Sequence, residues 1–167
     1  MKTPITAGRV FSQLSYTTII KVIAALTVMH NSEKECRGGI LAILVQGPEG
    51  STLESRELGA PGEKAFDSAY FAHEKIRRLA TRRLTAGSEG EYASSQSADP
   101  EKGQYGGCVV SWHGKYEIFI SFSGAPAVVD EVVTYVVAEA LGFTVSTEYQ
   151  NDLLPQARAL LERCRRP

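Results

Sequence analysis

The chain has 167 residues, enough for one domain with a real hydrophobic core and few for two. Its apolar content of 43% is ordinary for a globular protein, and a formal net charge of -1 argues against nucleic acid as the main partner. No segment is apolar enough over a sufficient length to span a bilayer, so we expect no membrane partner. Mixed polar sequence follows Lys2, so we expect no signal peptide either.

The first half of the chain predicts a helix, a hairpin and a second helix, after about ten residues that look loose. Helical periodicity runs from Ser15, a candidate cap, to about His30. Strands at 40–45 and 52–58 flank a five-residue turn rich in glycine and proline. A helix is predicted over 63–84. Its inward side is expected to carry Phe66, Ala69, Tyr70, His73, Ile76, Arg77 and Ala80.

A basic cluster lies near the end of this second helix. It consists of Arg77, Arg78, Arg82 and Arg83. Such a cluster on a helix is most often a solvated face, and we expect that here. Residues 86–104 follow, nearly devoid of large apolar side chains and rich in Ser, Gly and Glu. We predict a long polar loop or a disordered segment there.

The most informative stretch is 106–143. It predicts strands at 108–112 and 115–122 around a glycine turn, with one face of the second strand fully apolar. The helix predicted over 126–141 contains many valines, but its apolar residues come in adjacent pairs spaced four apart, as in a helix. Asp130 and Glu131 fall in its first turn, where negative charge suits the helix dipole. A last amphipathic helix is predicted over 151–165.

This order of elements predicts an α+β fold, in which two hairpins form one antiparallel sheet flanked by helices. We predict a single domain over residues 1–167. The valine-rich helix has more apolar positions than one sheet face needs, so we expect a homo-oligomer.

The three cysteines predict free thiols. They are Cys36, Cys108 and Cys164. An odd count without Cys-x-x-Cys spacing is typical of neither a disulfide framework nor a structural zinc site. We therefore expect a reducing, cytoplasmic location, with Cys108 in the core. No two histidines have metal-ligand spacing, so no non-haem metal site is predicted.

Three short segments carry a resemblance to a known family. They are Arg56-Glu57-Leu58-Gly59-Ala60, Gly106-Gly107, and Ser123-Gly124-Ala125 with Asp130-Glu131. Over roughly residues 14–142 the chain resembles the GlcG/HbpS family of haem-binding or haem-degrading domains, as a divergent member. The resemblance implies a profilin- or PAS-like fold and assembly into oligomers, some of which bind haem. Leu58 departs from the usual aspartate, and Lys75 lies only near the position of the family's helix lysine.

The corner at Ser123-Gly124-Ala125-Pro126 is the first candidate site. Backbone N–H groups at a helix start bind anions, so the corner suits a haem propionate or another small carboxylate. We expect Ser123 to cap this helix; an ordinary capped corner without a ligand is the alternative. His73 is the best candidate ligand of haem iron, and a packed or solvated helix histidine is its alternative. The candidate ligand-binding residues are Arg56, Gly59, Ala60, His73, Ser123, Gly124 and Ala125.

Two functions of different classes follow from these residues. The first is a small oligomeric ligand-binding protein that holds haem or a small carboxylate. The second is a cofactor-independent lyase or isomerase acting on a small organic acid by acid–base catalysis, with Arg56, Tyr116 and Glu117 as candidate catalytic residues. A guanidinium near a Gly-Ala corner suits carboxylate recognition, which makes Arg56 a candidate under both hypotheses. A scaffold without any ligand is a third possibility.

Overall fold

A computed structural model describes residues 3–30, 38–86, 90–148 and 151–165. Cys36, the polar segment at 31–37 and residues 87–89 of the predicted polar loop lie outside them. The helices of the described residues are α1 (Ala7–Phe11), α2 (Tyr16–Met29), α3 (Ala65–Ala86), α4 (Ala127–Ala140) and α5 (Leu154–Arg165). The strands are β1 (Gly38–Gly47), β2 (Gly50–Gly59), β3 (Cys108–His113), β4 (Tyr116–Ser123) and β5 (Thr144–Val145).

The five strands of the described residues form one antiparallel sheet in the order β2-β1-β4-β3-β5. The predicted α+β class, two hairpins joined in one sheet with helices around it, is confirmed. The first hairpin is tighter than predicted, because Gly47 pairs directly with Gly50 and only two residues form the turn. The two-residue strand β5 was not predicted, since it is too short to show a periodic pattern.

The sheet lies between two unequal helical layers. On one face α3 contacts β1, β3 and β4, while α1, α2, α4 and α5 pack on the other face. Alternation along β4 sends Ile118, Ile120 and Phe122 into the larger core and Phe119 into the smaller one beneath α3. The predicted apolar face of this strand is therefore confirmed.

Helix α4 is the centre of the larger core. Residues 129–138 are all buried, because β4 lies on one side of the helix while α2 and α5 contact it from others. The helix predicted from the valine pairs is confirmed. Its surplus of apolar side chains is covered within the chain, so it gives no support to self-association.

Helix α3 is rotated relative to the prediction. Phe66 is 83% exposed and Tyr70 63% exposed, and His73 and Arg77 are exposed as well, although all four were expected to face inward. The buried side carries the apolar residues Ala72, Ile76 and Leu79 together with several charged side chains. The prediction failed because the charged residues of this helix have buried partners elsewhere in the chain.

The first helix packs against the sheet, so the expectation of a loose beginning is wrong for α1. Ala7, Val10 and Phe11 of α1 are buried. The backbone N–H of Ala7 donates to Thr52 Oγ1 on β2 at 2.8 Å, which ties this helix to the sheet edge. Cys108 is buried in the core as predicted, and burial raises the pKa of its thiol. None of the described helices has the length and apolar character needed to cross a membrane.

Candidate functional site

The two Gly-Ala corners meet at one end of the sheet, on either side of the start of β1. Gly38 pairs with Gly59 in β2, while Ile40 pairs with Ser123 in β4. A Cβ atom added to Gly124 would lie 2.4 Å from the carbonyl oxygen of Gly38. The two corners therefore contact each other through backbone atoms. They form one continuous region of the fold, which consists of Gly59, Ala60, Ser123, Gly124 and Ala125.

The start of α4 is occupied by a carboxylate of the chain itself. The backbone N–H of Ala125 donates to Asp130 Oδ1 at 2.8 Å, and the side chain of Ser123 makes no capping hydrogen bond to α4. The predicted capping role of Ser123 is therefore wrong, and Asp130 satisfies the corner in its place. An external anion at this position would meet the charge of Asp130, which disfavours the corner as a carboxylate site.

Lys75 of α3 reaches the same carboxylate from beneath the sheet. Its Nζ donates to Asp130 Oδ2 at 2.9 Å and to the carbonyl oxygen of Phe122 at 2.8 Å, and the residue is only 1% exposed. Burial raises the pKa of Asp130 to about 6, although the positive charge of Lys75 opposes that rise. Lys75 and Asp130 thus form a buried ion pair that joins α3 to α4 across the end of the sheet.

Gly107 lies beside this ion pair, and its geometry explains why a glycine stands there. A Cβ atom at this position would lie 2.7 Å from both Lys75 Nζ and the Asp130 Cβ, and the residue has a φ of 117°. A side chain would therefore collide with the pair and strain the backbone. Its N–H group points to Glu131 Oε2 at 3.4 Å, and Glu131 also accepts a 2.9 Å hydrogen bond from the hydroxyl of Ser95.

Arg78 of α3 holds the segment at 90–105 against this helix through hydrogen bonds to its backbone. Its guanidinium donates to the carbonyl oxygens of Ser94, Ser97 and Tyr105, and its Nε pairs with Glu74 Oε1 at 3.0 Å. The described part of the predicted polar loop includes two short 3-10 helices, Ser94–Ser97 and Pro100–Lys102.

The basic cluster of α3 is therefore not the solvated face that was expected. Arg78 and Arg83 are buried, and Arg83 pairs with Glu117, its Nε lying 3.0 Å from Glu117 Oε1. Arg82 is more exposed and pairs with Glu91. Arg77 is exposed and has no ion pair with the described residues, so it alone fits the solvated face expected for the cluster, although the helical repeat had placed it inward.

A shallow depression of about 330 Å³ lies on the outer face of α3. It is lined by Phe66, Ala69, Tyr70, His73, Glu74 and Arg77. Glu74 is 9% exposed, and its Oε2 atom is buried without a hydrogen-bond partner in the described chain. The depression thus combines exposed aromatic rings, an imidazole and a guanidinium, which is a composition common in small-molecule sites.

The other predicted site residues lie away from both places. Arg56 is on the opposite face of the sheet, where it donates to the hydroxyl of Tyr16 at 3.3 Å and its guanidinium lies 4.8 Å from the Phe11 ring centroid. Tyr116 and Glu117 begin β4, whereas Ser123 ends it. The structure therefore brings together neither the three candidate catalytic residues nor Arg56 and His73.

Lys75, Glu74 and Arg78 were missed as functional candidates, because charged helix residues are normally solvated. The resemblance gave the only signal, since Lys75 lies near the family's helix lysine. In the described ranges no group of three or more His, Cys, Asp or Glu side chains is arranged to hold a metal ion.

Comparison with known proteins identifies no relative of this chain. No protein-family model, no curated protein and no solved structure matched it.

Proposed function

We propose that this protein is a small-molecule-binding module of the GlcG/HbpS type, whose ligand lies against the outer face of α3. The observation that carries the proposal is the exposure of two large aromatic side chains, Phe66 and Tyr70, on the same helical face as His73 and Arg77. A helix whose only role is to pack on the sheet would place its aromatic residues against the core. Here they surround a depression instead, and that arrangement favours a ligand or partner.

Haem is the ligand whose chemistry fits these residues best. A haem needs an axial ligand and an apolar surface for its ring, and when bound it supplies an iron centre to the module. His73 offers an imidazole nitrogen, the rings of Phe66 and Tyr70 offer flat apolar surface, and Arg77 offers a cation for a propionate. A depression of about 330 Å³ is at the small end of the range for ligand sites, so it would cover one face of the ring only.

A second copy of the chain is proposed to cover the remaining face. Phe66 and Tyr70 stay exposed side by side around the same depression, and a contiguous exposed apolar patch marks an interaction surface. A ligand held between two copies would link self-association to binding. We also propose a cytoplasmic location, because Cys108 and Cys164 are free thiols.

Titration with haemin tests this proposal. We expect a saturable Soret band at near-stoichiometric haemin in the wild type, and loss or displacement of that band in His73→Ala. His113→Ala is the matched control, since that exposed histidine lies at the β3–β4 turn. Equal spectra for the two variants, or absorbance that never saturates, would refute haem binding at α3.

The alternative, a lyase or isomerase that works by proton transfer, has one supporting observation. Burial raises the pKa of Asp130 to about 6, in the range useful for acid–base catalysis near neutral pH. Both of its oxygens already accept hydrogen bonds, however, and the residue is 3% exposed. Loss of turnover of a small organic acid in Asp130→Asn, with the fold intact, would favour the enzyme over the binding module.

A further inference from the structure

A second cavity, of about 440 Å³, lies where the N-terminal segment meets the β3–β4 turn and the chain that leaves α4. Its apolar walls include Val10, Leu141 and Phe143, and its polar rim includes Arg9, Gln13 and His113. The cavity is on the face of the sheet opposite α3. It therefore shares no residue with the depression around His73.

The walls of this cavity are held in place by the core. Val10 is 2% exposed and Phe143 8% exposed, and both belong to the larger hydrophobic cluster. The imidazole of His113 lies edge-on to the ring of Phe143, with 5.6 Å between the ring centroids. Three separate segments thus meet in a fixed arrangement, which is what a preformed site requires.

The rim of the cavity carries positive charge, and its described residues supply no matching carboxylate. The guanidinium of Arg9 donates one hydrogen bond, to the carbonyl oxygen of Thr3 at 3.1 Å, and forms no ion pair with any described residue. None of the described residues that line the cavity is acidic. Gln13 and His113 are exposed at the same rim, so the cavity has several hydrogen-bond donors and no negative charge among its described lining residues.

We infer that this cavity is a binding site for a small monocarboxylic acid with an apolar body. The carboxylate pairs with the guanidinium of Arg9, because a hydrogen bond between two charged groups is stronger than one between neutral groups. It accepts further hydrogen bonds from Gln13 and His113. The apolar body lies on Val10, Leu141 and Phe143, where it removes apolar surface from water. The inference concerns a different ligand class and a different face from the proposed haem site, and neither depends on the other.

Titration of the full chain with phenylacetate, followed by NMR, tests this inference. We expect saturable shifts of the methyl groups of Val10 and Leu141, with the methyl of Ala69 on α3 unaffected. Phenylacetamide has the same shape without the charge and is expected to bind about tenfold more weakly, because the charged hydrogen bond is lost. This comparison needs no mutation, so it holds even if a variant misfolds.

Arg9→Gln is expected to weaken phenylacetate binding by a similar factor of about ten. Arg163→Gln is the matched control, since Arg163 is an exposed arginine on α5 that is not among the residues lining the cavity, and the affinity of this variant should equal that of the wild type. The inference is overturned if acid and amide bind equally, if Arg9→Gln binds like the wild type, or if the shifts appear at Ala69 in place of Val10 and Leu141.

Discussion

Helices α3 and α4 lie on opposite faces of the same sheet and become buried in different ways. Residues 129–138 of α4 are all buried, and most of them are apolar. The polar residues among them are Asp130, Glu131 and Thr134. Helix α3 instead buries Lys75, Arg78 and Arg83, and leaves Phe66 and Tyr70 in solvent. Hydrogen-bonding partners, as well as hydrophobicity, therefore set which side of a helix faces the core.

The two kinds of burial differ in what they demand of the rest of the chain. Apolar packing on α4 tolerates other apolar neighbours of similar volume. Each buried cation of α3 needs one particular acceptor, such as Asp130 for Lys75 or Glu117 for Arg83. Removal of a single partner leaves an uncompensated charge, so the α3 layer is expected to be the more sensitive of the two.

The largest effect is expected for Lys75→Met. Asp130 would then be left as a buried charge without its partner, which lowers the free energy of unfolding by about 3–5 kcal/mol near pH 7. Val133→Ala, at an equally buried position of α4, removes only apolar atoms and is expected to cost about 2 kcal/mol. Denaturant unfolding of both variants measures the difference. A smaller loss for Lys75→Met than for Val133→Ala would contradict the comparison.

Arg78→Met is expected to act mainly on the segment at 90–105. Three backbone carbonyl oxygens lose their donor, so hydrogen exchange should quicken in this segment while α4 keeps its protection. The loss of global stability should be about 2–3 kcal/mol, because charged hydrogen bonds are broken and Glu74 loses its partner. Arg77→Met is the control on the same helix. Equal exchange in the two variants would show that Arg78 does not hold the segment.

The pH dependence of stability should reveal Asp130. Burial raises the pKa of this carboxyl to about 6 from an ordinary 3.8, so the folded chain keeps a proton that the unfolded chain has already lost. The stabilisation from Asp130 is therefore fully present below about pH 4 and is lost as the pH rises to about 6. In Asp130→Asn this dependence disappears.

The measurement is the difference in unfolding free energy between the wild type and Asp130→Asn across this range, in which the other carboxyl groups cancel. The difference should shift against the wild type as the pH rises from about 4 to 6, and then level off. A difference that stays constant, or that shifts in favour of the wild type, would refute the raised pKa.

The smallest effect on stability is expected for Phe66→Ser. Since this ring is 83% exposed, the free energy of unfolding should change by no more than about 0.5 kcal/mol. Self-association, measured by analytical ultracentrifugation, should weaken if the outer face of α3 is a contact surface. A loss of stability comparable to that of Val133→Ala would mean that α3 is buried by its aromatic side after all.

The sequence predicted α4 well and α3 poorly, and both outcomes have physical reasons. The apolar residues of α4 outnumber its polar ones so clearly that periodicity identifies the helix despite its valines. On α3 the helical repeat predicted an inward face with Phe66, Tyr70 and His73, because a face that carries large aromatic rings is typical of the core side. The error concerned the rotation of the helix and left its bounds nearly unchanged.

The candidate site was predicted only in part, because its partners are far apart in the chain. The Gly-Ala corners were identified from local turn chemistry, and the structure does place them side by side. Lys75 and Asp130 are 55 residues apart, so no local pattern links them. The sequence predicted an external anion at the start of α4, because it could not show that Asp130 accepts the hydrogen bond from the N–H of Ala125.

The pairing of β1 with β4 has a consequence for how the chain folds. Each hairpin forms from neighbouring residues, but β1 meets β4 only after the whole of α3 and the following segment have been traversed. Such non-local steps are the slow ones in folding. Lys75 bonds to Phe122 and Asp130 at that same junction, so this contact should form late. Because this contact forms only after the two strands have paired, its strength should affect mainly the rate of unfolding and have little effect on the rate of folding.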